Sequence, residues 1–268
     1  MFTNETIRSI TTAATRANVE PAALLAVAEV ESGGKAFATV DGRPEPLIRF
    51  EGHYFDRRLS GEKRTVARAA GLSSPNAGGV ANPSSQAARW ALLRRAAAID
   101  SKAAHESVSW GIGQVMGAHW DWLGYASVEA FVAEARASVE GQATQMMRFI
   151  EKAGLAGALR RRDWAAFARG YNGPAYARNA YDRKMAAAYA KYRDAARAGG
   201  GASPLLRRGA RGDAVAELQR LLTAAGFAAA PDGIFGPATE AAVKRFQRAR
   251  GLAADGIVGR MTWGALGE

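Results

Sequence analysis

The sequence predicts an all-α protein made of two domains of unequal size. Three observations predict this class: Ala-rich segments carry apolar residues at helical spacing, runs of β-branched residues are few, and Gly or Pro stands at the breaks. The chain has 268 residues, more than the common size of one domain. Residues 195–204 are mostly small and predict a short flexible linker. We predict an N-terminal domain over residues 1–196, a linker over 197–203 and a C-terminal domain over 204–268.

Helical periodicity defines the elements of the N-terminal domain in chain order. The predicted helices lie near residues 4–17, 21–31, 84–104, 107–118, 127–137, 138–153, 163–170 and 176–197. Residues 60–83 differ, because Gly, Ser, Pro and Asn become frequent from Gly71 to Ser85. That composition predicts a long surface loop over or beside a functional site.

The C-terminal domain contains an internal repeat. Asp232-Gly-Ile-Phe-Gly236 returns 23 residues later as Asp255-Gly-Ile-Val-Gly259. Each copy offers an Asp-Gly turn, a second Gly and then a Thr that can cap a following helix. With the helical spacing between Gly209 and Gly226, these turns predict three helices. The turns and the Leu-Gln-Arg-Leu-Leu and Phe-Gln segments beside them closely resemble the peptidoglycan-binding domain of many bacterial and phage wall hydrolases.

The helix predicted over residues 21–31 carries a candidate catalytic acid. At about 100° per residue, Glu31 lies within about 20° of Leu24 on the apolar face, whereas Glu29 points about 140° away. A carboxylate that faces the core loses hydration, which raises its pKa and makes it a proton donor near neutral pH. Protonation of a glycosidic oxygen requires such a group. A structural ion pair between Glu31 and a buried Arg fits the periodicity equally well.

Three short segments bear a family resemblance in their order along the chain. Glu31–Gly34, Gly111–Met116 and Tyr171–Pro174 are similar to the signatures of goose-type lysozymes and lytic transglycosylases. Together with Gly42–Pro44 and Arg49–Phe55, they resemble the N-acetylmuramidase domain of phage endolysins from about residue 6 to residue 194. The resemblance implies a lysozyme-like helical catalytic domain joined to a small three-helix peptidoglycan-binding domain. It also implies that Glu31 is the general acid.

The same resemblance implies a set of substrate-binding residues. Glycines allow close approach of a sugar or of the Glu31 helix, amides can bond sugar hydroxyls or an N-acetyl group, and aromatic rings can stack on sugars. Core packing is the more common role of any single aromatic residue. The predicted substrate-binding residues are Gly113, Gln114, Tyr171, Asn172, Trp110 and Tyr176.

Glycoside cleavage usually employs a second carboxylate, and the sequence offers three candidates. We favour Glu51, in the Phe-Glu-Gly-His segment, as this second catalytic residue. An orienting ion pair of Glu51 with Arg49 or Arg57 fits the sequence about as well. Glu106 and Asp41 stay open as alternatives.

Other chemistries find little support in the sequence. The chain has three histidines and no cysteine, and it lacks a His-Glu-x-x-His motif, so we predict no metal site and no cofactor. No Gly-x-Ser-x-Gly elbow for a nucleophilic serine is present either. Glycan cleavage is therefore favoured.

Net charge indicates the kind of partner. The chain carries +11, divided as +3 for residues 203–268 (9 basic minus 6 acidic) and +8 for the remainder (27 minus 19). Basic proteins attract polyanions. No nucleic-acid-binding motif accompanies the scattered Arg and Lys, so we predict no nucleic-acid partner and favour the acidic polymer of bacterial peptidoglycan.

The first residues lack the pattern of a secretory signal, and no apolar run is long enough to span a membrane. We therefore expect no stable membrane insertion, synthesis in the cytoplasm, and dependence on a separate pore-forming protein, as the resemblance to phage endolysins implies. We also expect a monomer. The predicted activity is hydrolysis of the β-1,4 bond between N-acetylmuramic acid and N-acetylglucosamine. A lytic transglycosylase and a non-catalytic wall-binding or virion protein are the alternatives.

Overall fold

The computed structural model describes residues 2–199 and 205–266. The chain divides into two compact units, Met1–Arg193 and Asp194–Glu268, and each is described here by itself. With 60% helix and 8% strand, the protein is mostly helical, which confirms the predicted class and adds a small strand component. The helix that ends at Gly199 includes the first three residues of the predicted linker, whereas residues 200–203 lie outside the described residues.

The first unit places its helices around two small antiparallel sheets. The helices are α1 Asn4–Arg16, α2 Pro21–Ser32, α3 Gly52–Arg58, α4 Gly61–Ala69, α5 Gln86–Ile99, α6 Ser101–Glu106, α7 Val128–Ala137, α8 Val139–Lys152, α9 Ala156–Arg161, α10 Trp164–Asn172 and α11 Tyr181–Gly199. Single turns of 3₁₀ helix lie at Gly117–His119 and Tyr176–Asn179. The strands are β1 Phe37–Val40, β2 Arg43–Pro46, β3 Ile48–Phe50, β4 Val108–Trp110 and β5 Val115–Met116.

Helix α2 is the central helix of this unit. Pro21 stands in its first turn, and Gly33, with φ 64°, ends it. All seven residues from Ala22 to Ala28 are buried, and α1 and α9 pack against the helix. The sequence-based picture of one apolar face is therefore wrong, because α2 is surrounded by protein over most of its length. Its last turn, which contains Glu31, is the part that reaches partly exposed positions.

The three-stranded sheet has the order β3-β4-β5. Arg49 lies opposite Ser109, which in turn lies opposite Met116, so these three residues share one face. The free edge of β3 is covered by side chains from the predicted surface loop and the helix after it. Asn82 exchanges two hydrogen bonds with the Phe50 backbone, and Gln86 accepts one from the Ile48 N–H. The loop therefore holds the strand that carries Arg49.

Several predicted elements need correction. Residues 108–116 form β4, β5 and the turn between them rather than an α-helix, because Gly111 adopts φ 66° there and ends β4, and residues 117–118 begin a single 3₁₀ turn. The predicted helix 84–104 is divided at Asp100, whose side chain caps α6 by accepting from the Ala103 N–H. Residues 61–69 form α4, whereas residues 71–85 have neither helix nor strand, as predicted.

The second unit contains the three predicted helices, α12 Asp213–Ala224, α13 Pro237–Ala249 and α14 Arg260–Leu266. They enclose a small core whose buried members are Leu206, Val215, Leu218, Leu222, Phe235, Ala242, Val243, Phe246 and Val258.

Both copies of the repeated turn are held by a buried glutamine. Gln219 donates to the Asp232 carboxylate, the Ile234 carbonyl and the Thr239 hydroxyl at 2.8 to 3.0 Å, and it accepts from the Gly233 N–H. Gln247 makes the same four contacts with Asp255, Ile257, Thr262 and Gly256. The sequence repeat is thus also a repeat of one hydrogen-bonding arrangement.

Candidate active site

Glu31 lies in the last turn of α2 and is partly buried. Loss of hydration raises the pKa of its carboxyl to about 7, and one hydrogen bond opposes part of that rise. That bond comes from Asn172, whose Nδ2 donates to Glu31 Oε1 at 2.6 Å. A carboxyl group with this pKa holds a proton over a useful fraction of the time near neutral pH, as a general acid must.

Glu29, two residues earlier, has a different environment. Burial opposes its ionisation, but hydrogen bonds from Lys191 and Tyr192 outweigh that effect and lower the pKa of the Glu29 carboxyl. Two carboxyl groups on one helix turn thus have pKa values shifted in opposite directions, a pattern that separates acid from structural roles.

Tyr171 connects helix α10 to the turn between β4 and β5. Its hydroxyl donates to the Gly113 carbonyl at 2.6 Å, and its ring packs against Phe149 and Phe167, each at 5.2 Å between centroids. Burial, followed by the charge of Glu31, raises the pKa of the Tyr171 hydroxyl. The structure therefore brings together Glu31, Gly113, Tyr171 and Asn172.

The two glycines of the β4–β5 turn are required by helix α8. A Cβ atom at Gly111 would lie 2.8 Å from the Gln142 side chain, and one at Gly113 would lie 2.7 Å from Met146 Cβ. Gln142, buried, also accepts from the Ile112 N–H at 3.0 Å. The close protein neighbour of these glycines is therefore α8 rather than the Glu31 helix, and the approach of a sugar stays a prediction.

Gln114 directs its amide to its own turn. It adopts φ 48°, its Oε1 accepts from the Ser109 hydroxyl at 3.0 Å, and its Nε2 donates to the Gly111 carbonyl at 2.8 Å. These bonds stabilise the turn, and they occupy the amide group that the sequence analysis predicted to bind substrate.

The predicted aromatic residues differ in accessibility. Trp110 is 1% exposed, its Nε1 donates to the His105 carbonyl, and its ring lies 5.7 Å from that of Trp90. A sugar cannot stack on a ring buried in this way, so the predicted binding role of Trp110 is wrong and the residue belongs to the core. Tyr176 is partly exposed and is compatible with stacking.

Glu51 is the N-cap residue of α3 and is 20% exposed. Its Oε1 accepts from Arg49 Nε at 2.8 Å, and its Oε2 lies 3.5 Å from His53 Nδ1. The charges of Glu31 and Arg49 both act on the pKa of Tyr181, which burial mainly raises. Tyr181, which the sequence analysis did not name, is thus a residue on which the charges of both Glu31 and Arg49 act.

The two alternative carboxylates have other partners. Glu106 accepts from Arg58 at 3.0 Å and from the Trp120 indole at 2.7 Å, which ties α3, α6 and the following turn together. Asp41 occupies the β1–β2 turn with φ 49°, is 72% exposed and pairs with Arg94. Neither arrangement leaves a carboxylate free to face Glu31.

Within residues 2–199 and 205–266, no group of three or more His, Cys, Asp or Glu side chains could hold a metal ion. No helix in that part of the chain is long and apolar enough to cross a membrane.

A helical domain with a small antiparallel sheet and a desolvated glutamate at the end of a central helix defines a lysozyme-like glycoside hydrolase. Comparison with known protein families supports this class. Residues 20–193 match the N-acetylmuramidase family, and the chain belongs to that family. Residues 211–266 match the putative peptidoglycan-binding domain.

Individual relatives each match a part of the chain. The crystal structure of the Burkholderia AP3 phage endolysin is 38% identical, with a TM-score of 0.60 over 70% of this chain and 71% of that one. The zinc D-Ala-D-Ala carboxypeptidase of Streptomyces albus G is 49% identical over 69 residues. An uncharacterized protein in the bpoA1 3′ region of Kitasatospora aureofaciens is 48% identical over 65 residues. The matches to the carboxypeptidase and to the uncharacterized protein each cover 24% of this chain. This chain spans 26% of the length of the carboxypeptidase and 55% of the length of the uncharacterized protein.

Proposed function

We propose that this protein is a muramidase endolysin that hydrolyses the β-1,4 bond between N-acetylmuramic acid and N-acetylglucosamine in bacterial peptidoglycan. The desolvated carboxyl of Glu31 carries this proposal, because its pKa of about 7 suits a general acid. Membership of the N-acetylmuramidase family and the match of residues 211–266 to a peptidoglycan-binding domain support the choice of substrate.

In the proposed reaction, Glu31 transfers its proton to the glycosidic oxygen as the bond from that oxygen to the muramoyl C1 breaks. Positive charge then develops on the muramoyl ring. Water adds to C1 and gives up a proton, so one water molecule is consumed for each bond cleaved. Glu51, oriented by Arg49, is the proposed carboxylate that stabilises the developing charge or receives this proton.

One observation favours a second candidate. Glu51 is already engaged by Arg49, and a lytic transglycosylase needs no carboxylate to activate water, since the 6-hydroxyl of the muramoyl residue attacks instead. The products then carry anhydro ends and weigh one water less than the hydrolysis products.

Product analysis tests these alternatives together. Purified peptidoglycan is digested with the wild-type protein and with Glu31→Gln, and the fragments are weighed by mass spectrometry. Reducing muramoyl ends from the wild type alone support the proposal, and anhydro ends support the transglycosylase. Equal release by both proteins refutes the role of Glu31 as general acid, whereas release by neither protein refutes the proposed activity and favours the non-catalytic wall-binding protein.

The two domains are proposed to divide the work, with a boundary at residues 197–203. The C-terminal domain holds the enzyme on the wall and raises the local substrate concentration without changing the chemical step. A fragment of residues 1–198 is expected to cleave glycan at high substrate concentration but not to pellet with walls. If that fragment is folded by circular dichroism and inactive, this division is refuted.

We further propose that the protein acts as a monomer and reaches the wall from the cytoplasm after a separate pore-forming protein opens the membrane. The similarity to a phage endolysin supports this route. Expression with and without a pore-forming protein, followed by assay of wall lysis and of the external medium, tests it. Lysis without the pore-forming protein contradicts the proposal.

A further inference from the structure

The two polar atoms of the Asn172 amide have unlike surroundings. Nδ2 donates to Glu31 Oε1 at 2.6 Å, whereas Oδ1 is buried and has no hydrogen-bond partner among the described residues. Asn172 is the last residue of α10, and Gly173, with φ 84°, turns the chain away directly after it. The neighbouring Tyr171 fixes this helix end through its bond to Gly113.

The hydrogen bond from Asn172 Nδ2 also determines which oxygen of the Glu31 carboxyl group carries the proton. A protonated carboxyl carries its hydrogen on one of its two oxygens and accepts hydrogen bonds on the other. An N–H group held against Oε1 is favourable while Oε1 is an acceptor and repulsive if Oε1 carries the hydrogen. The Asn172 bond therefore directs the proton to Oε2.

The orientation of the Asn172 amide follows from the surroundings of its Oδ1 atom. Since no described side chain or backbone group donates to Oδ1, the contact with Glu31 is what sets the orientation of the amide. A reversed amide would place Oδ1 against Oε1, so two acceptors would face each other whenever Glu31 is ionised. The ionised form of Glu31 thus maintains the arrangement with Nδ2 on Oε1, and the proton that returns then goes to Oε2.

Other polar groups near Glu31 do not supply this function. Tyr171 gives its hydroxyl hydrogen to Gly113, and Arg49 is paired with Glu51. Tyr181 lies within reach of the Glu31 charge, but no hydrogen bond joins the two among the described residues. Asn172 is therefore the neutral donor that Glu31 has within the described structure.

We propose that Asn172 is a positioning residue that assigns the acid proton of Glu31 to Oε2, the oxygen left to face the glycosidic bond. This inference rests on the proposed function of Glu31 as general acid. It replaces the sequence-based expectation that Asn172 serves mainly to bind substrate.

The test is a pH profile of kcat and KM on a soluble peptidoglycan oligosaccharide. Asn172→Leu keeps a similar shape but cannot donate, and Asn172→Ala removes the amide without adding apolar bulk. In either variant the carboxylate loses its donor, so the alkaline limb of kcat/KM moves upward by about half to one pH unit. At pH 5.5, kcat falls about twofold because the proton is then shared between Oε1 and Oε2, and KM changes less than twofold.

The controls separate this inference from the proposed function. Asn179→Ala, at an exposed position seven residues along, is expected to leave both the pH profile and the rate unchanged. Activity in Glu31→Gln would refute the general-acid function itself. An inactive Glu31→Gln, combined with a raised KM and an unmoved alkaline limb in whichever Asn172 variant is folded, would overturn the positioning role alone.

Discussion

The carboxyl group of Glu31 in the first unit and those of Asp232 and Asp255 in the second unit differ in their surroundings and in the direction of their pKa shifts. Asp232 and Asp255 each accept from a backbone N–H and from a glutamine amide, and these bonds lower their pKa values. Glu31 receives a bond from Asn172 and loses hydration, so its pKa rises to about 7. An exposed carboxylate that accepts several hydrogen bonds stays ionised and stabilises a turn, whereas a desolvated carboxyl group with one donor keeps a proton available for chemistry.

The amide side chains show the same difference. Gln219 and Gln247 use both ends of their amides within the repeated turns. Asn172 uses its Nδ2 atom, and its Oδ1 atom is buried without a partner among the described residues. We therefore expect substitutions at the first two residues to reduce stability and substitutions near Glu31 to reduce activity.

The largest expected effect is on catalysis. Glu31→Gln keeps the shape of the side chain but removes its proton, and loss of general acid catalysis lowers rates by about 10² to 10⁴. Glu29→Gln is the matched control on the same helix turn, since Glu29 is engaged by Lys191 and Tyr192. The rates are measured as release of reducing ends from peptidoglycan. A Glu31→Gln enzyme within about threefold of wild type, or an inactive Glu29→Gln, would reverse the assignment.

The next effect concerns the repeated turn. Gln247→Leu removes four hydrogen bonds at a site where Gln247 is 2% exposed, and it leaves the Gly256 N–H without its acceptor. We expect the second unit to lose about 2 to 4 kcal/mol of stability. Urea unfolding and pelleting with walls measure the loss, and cleavage of a soluble glycan is expected to stay unchanged. Arg248→Ala, at an exposed position of the same helix, is the control, and an equal loss there would show that the bonds around Gln247 are unimportant.

The sequence predicted the second unit better than the first for a physical reason. Its repeat is made of local turns and helix caps, so the residues that fix the structure lie close together in the chain. Strands β3, β4 and β5 have two or three residues each, too short for periodicity to identify. Glu31 was identified through an argument about one apolar face, although α2 is buried on most sides. The contacts of Asn172 and Tyr181 depend on tertiary packing and left no signal in local spacing, whereas the Arg49–Glu51 pair joins residues two positions apart and was open to prediction.

The pH dependence of stability gives a third prediction. The pKa of Glu31 is about 7 in the folded protein against an ordinary value of 4.5, so the folded state binds this proton more tightly than the unfolded state. Its favourable contribution is complete below pH 4.5 and is lost as the pH rises to 7. Glu31→Gln cannot ionise, so we expect it to be more stable than wild type by about 3 kcal/mol at pH 8 and nearly equal to it near pH 4.5. Denaturant unfolding at both pH values measures this, and an equal difference at the two would contradict it.

The smallest effect separates the candidates for the second carboxylate. Glu51→Gln keeps the side-chain shape but removes a negative charge near the ring on which positive charge develops. At the effective dielectric of a partly exposed site this costs about 1 to 2 kcal/mol in the transition state, so we expect the rate to fall about tenfold with little change in KM. Glu106→Gln is the matched control, because Glu106 joins Arg58 to Trp120 and is expected to affect unfolding rather than rate. If Glu106→Gln instead lowers kcat while Glu51→Gln does not, Glu106 is the second catalytic carboxylate and the Arg49–Glu51 pair is structural.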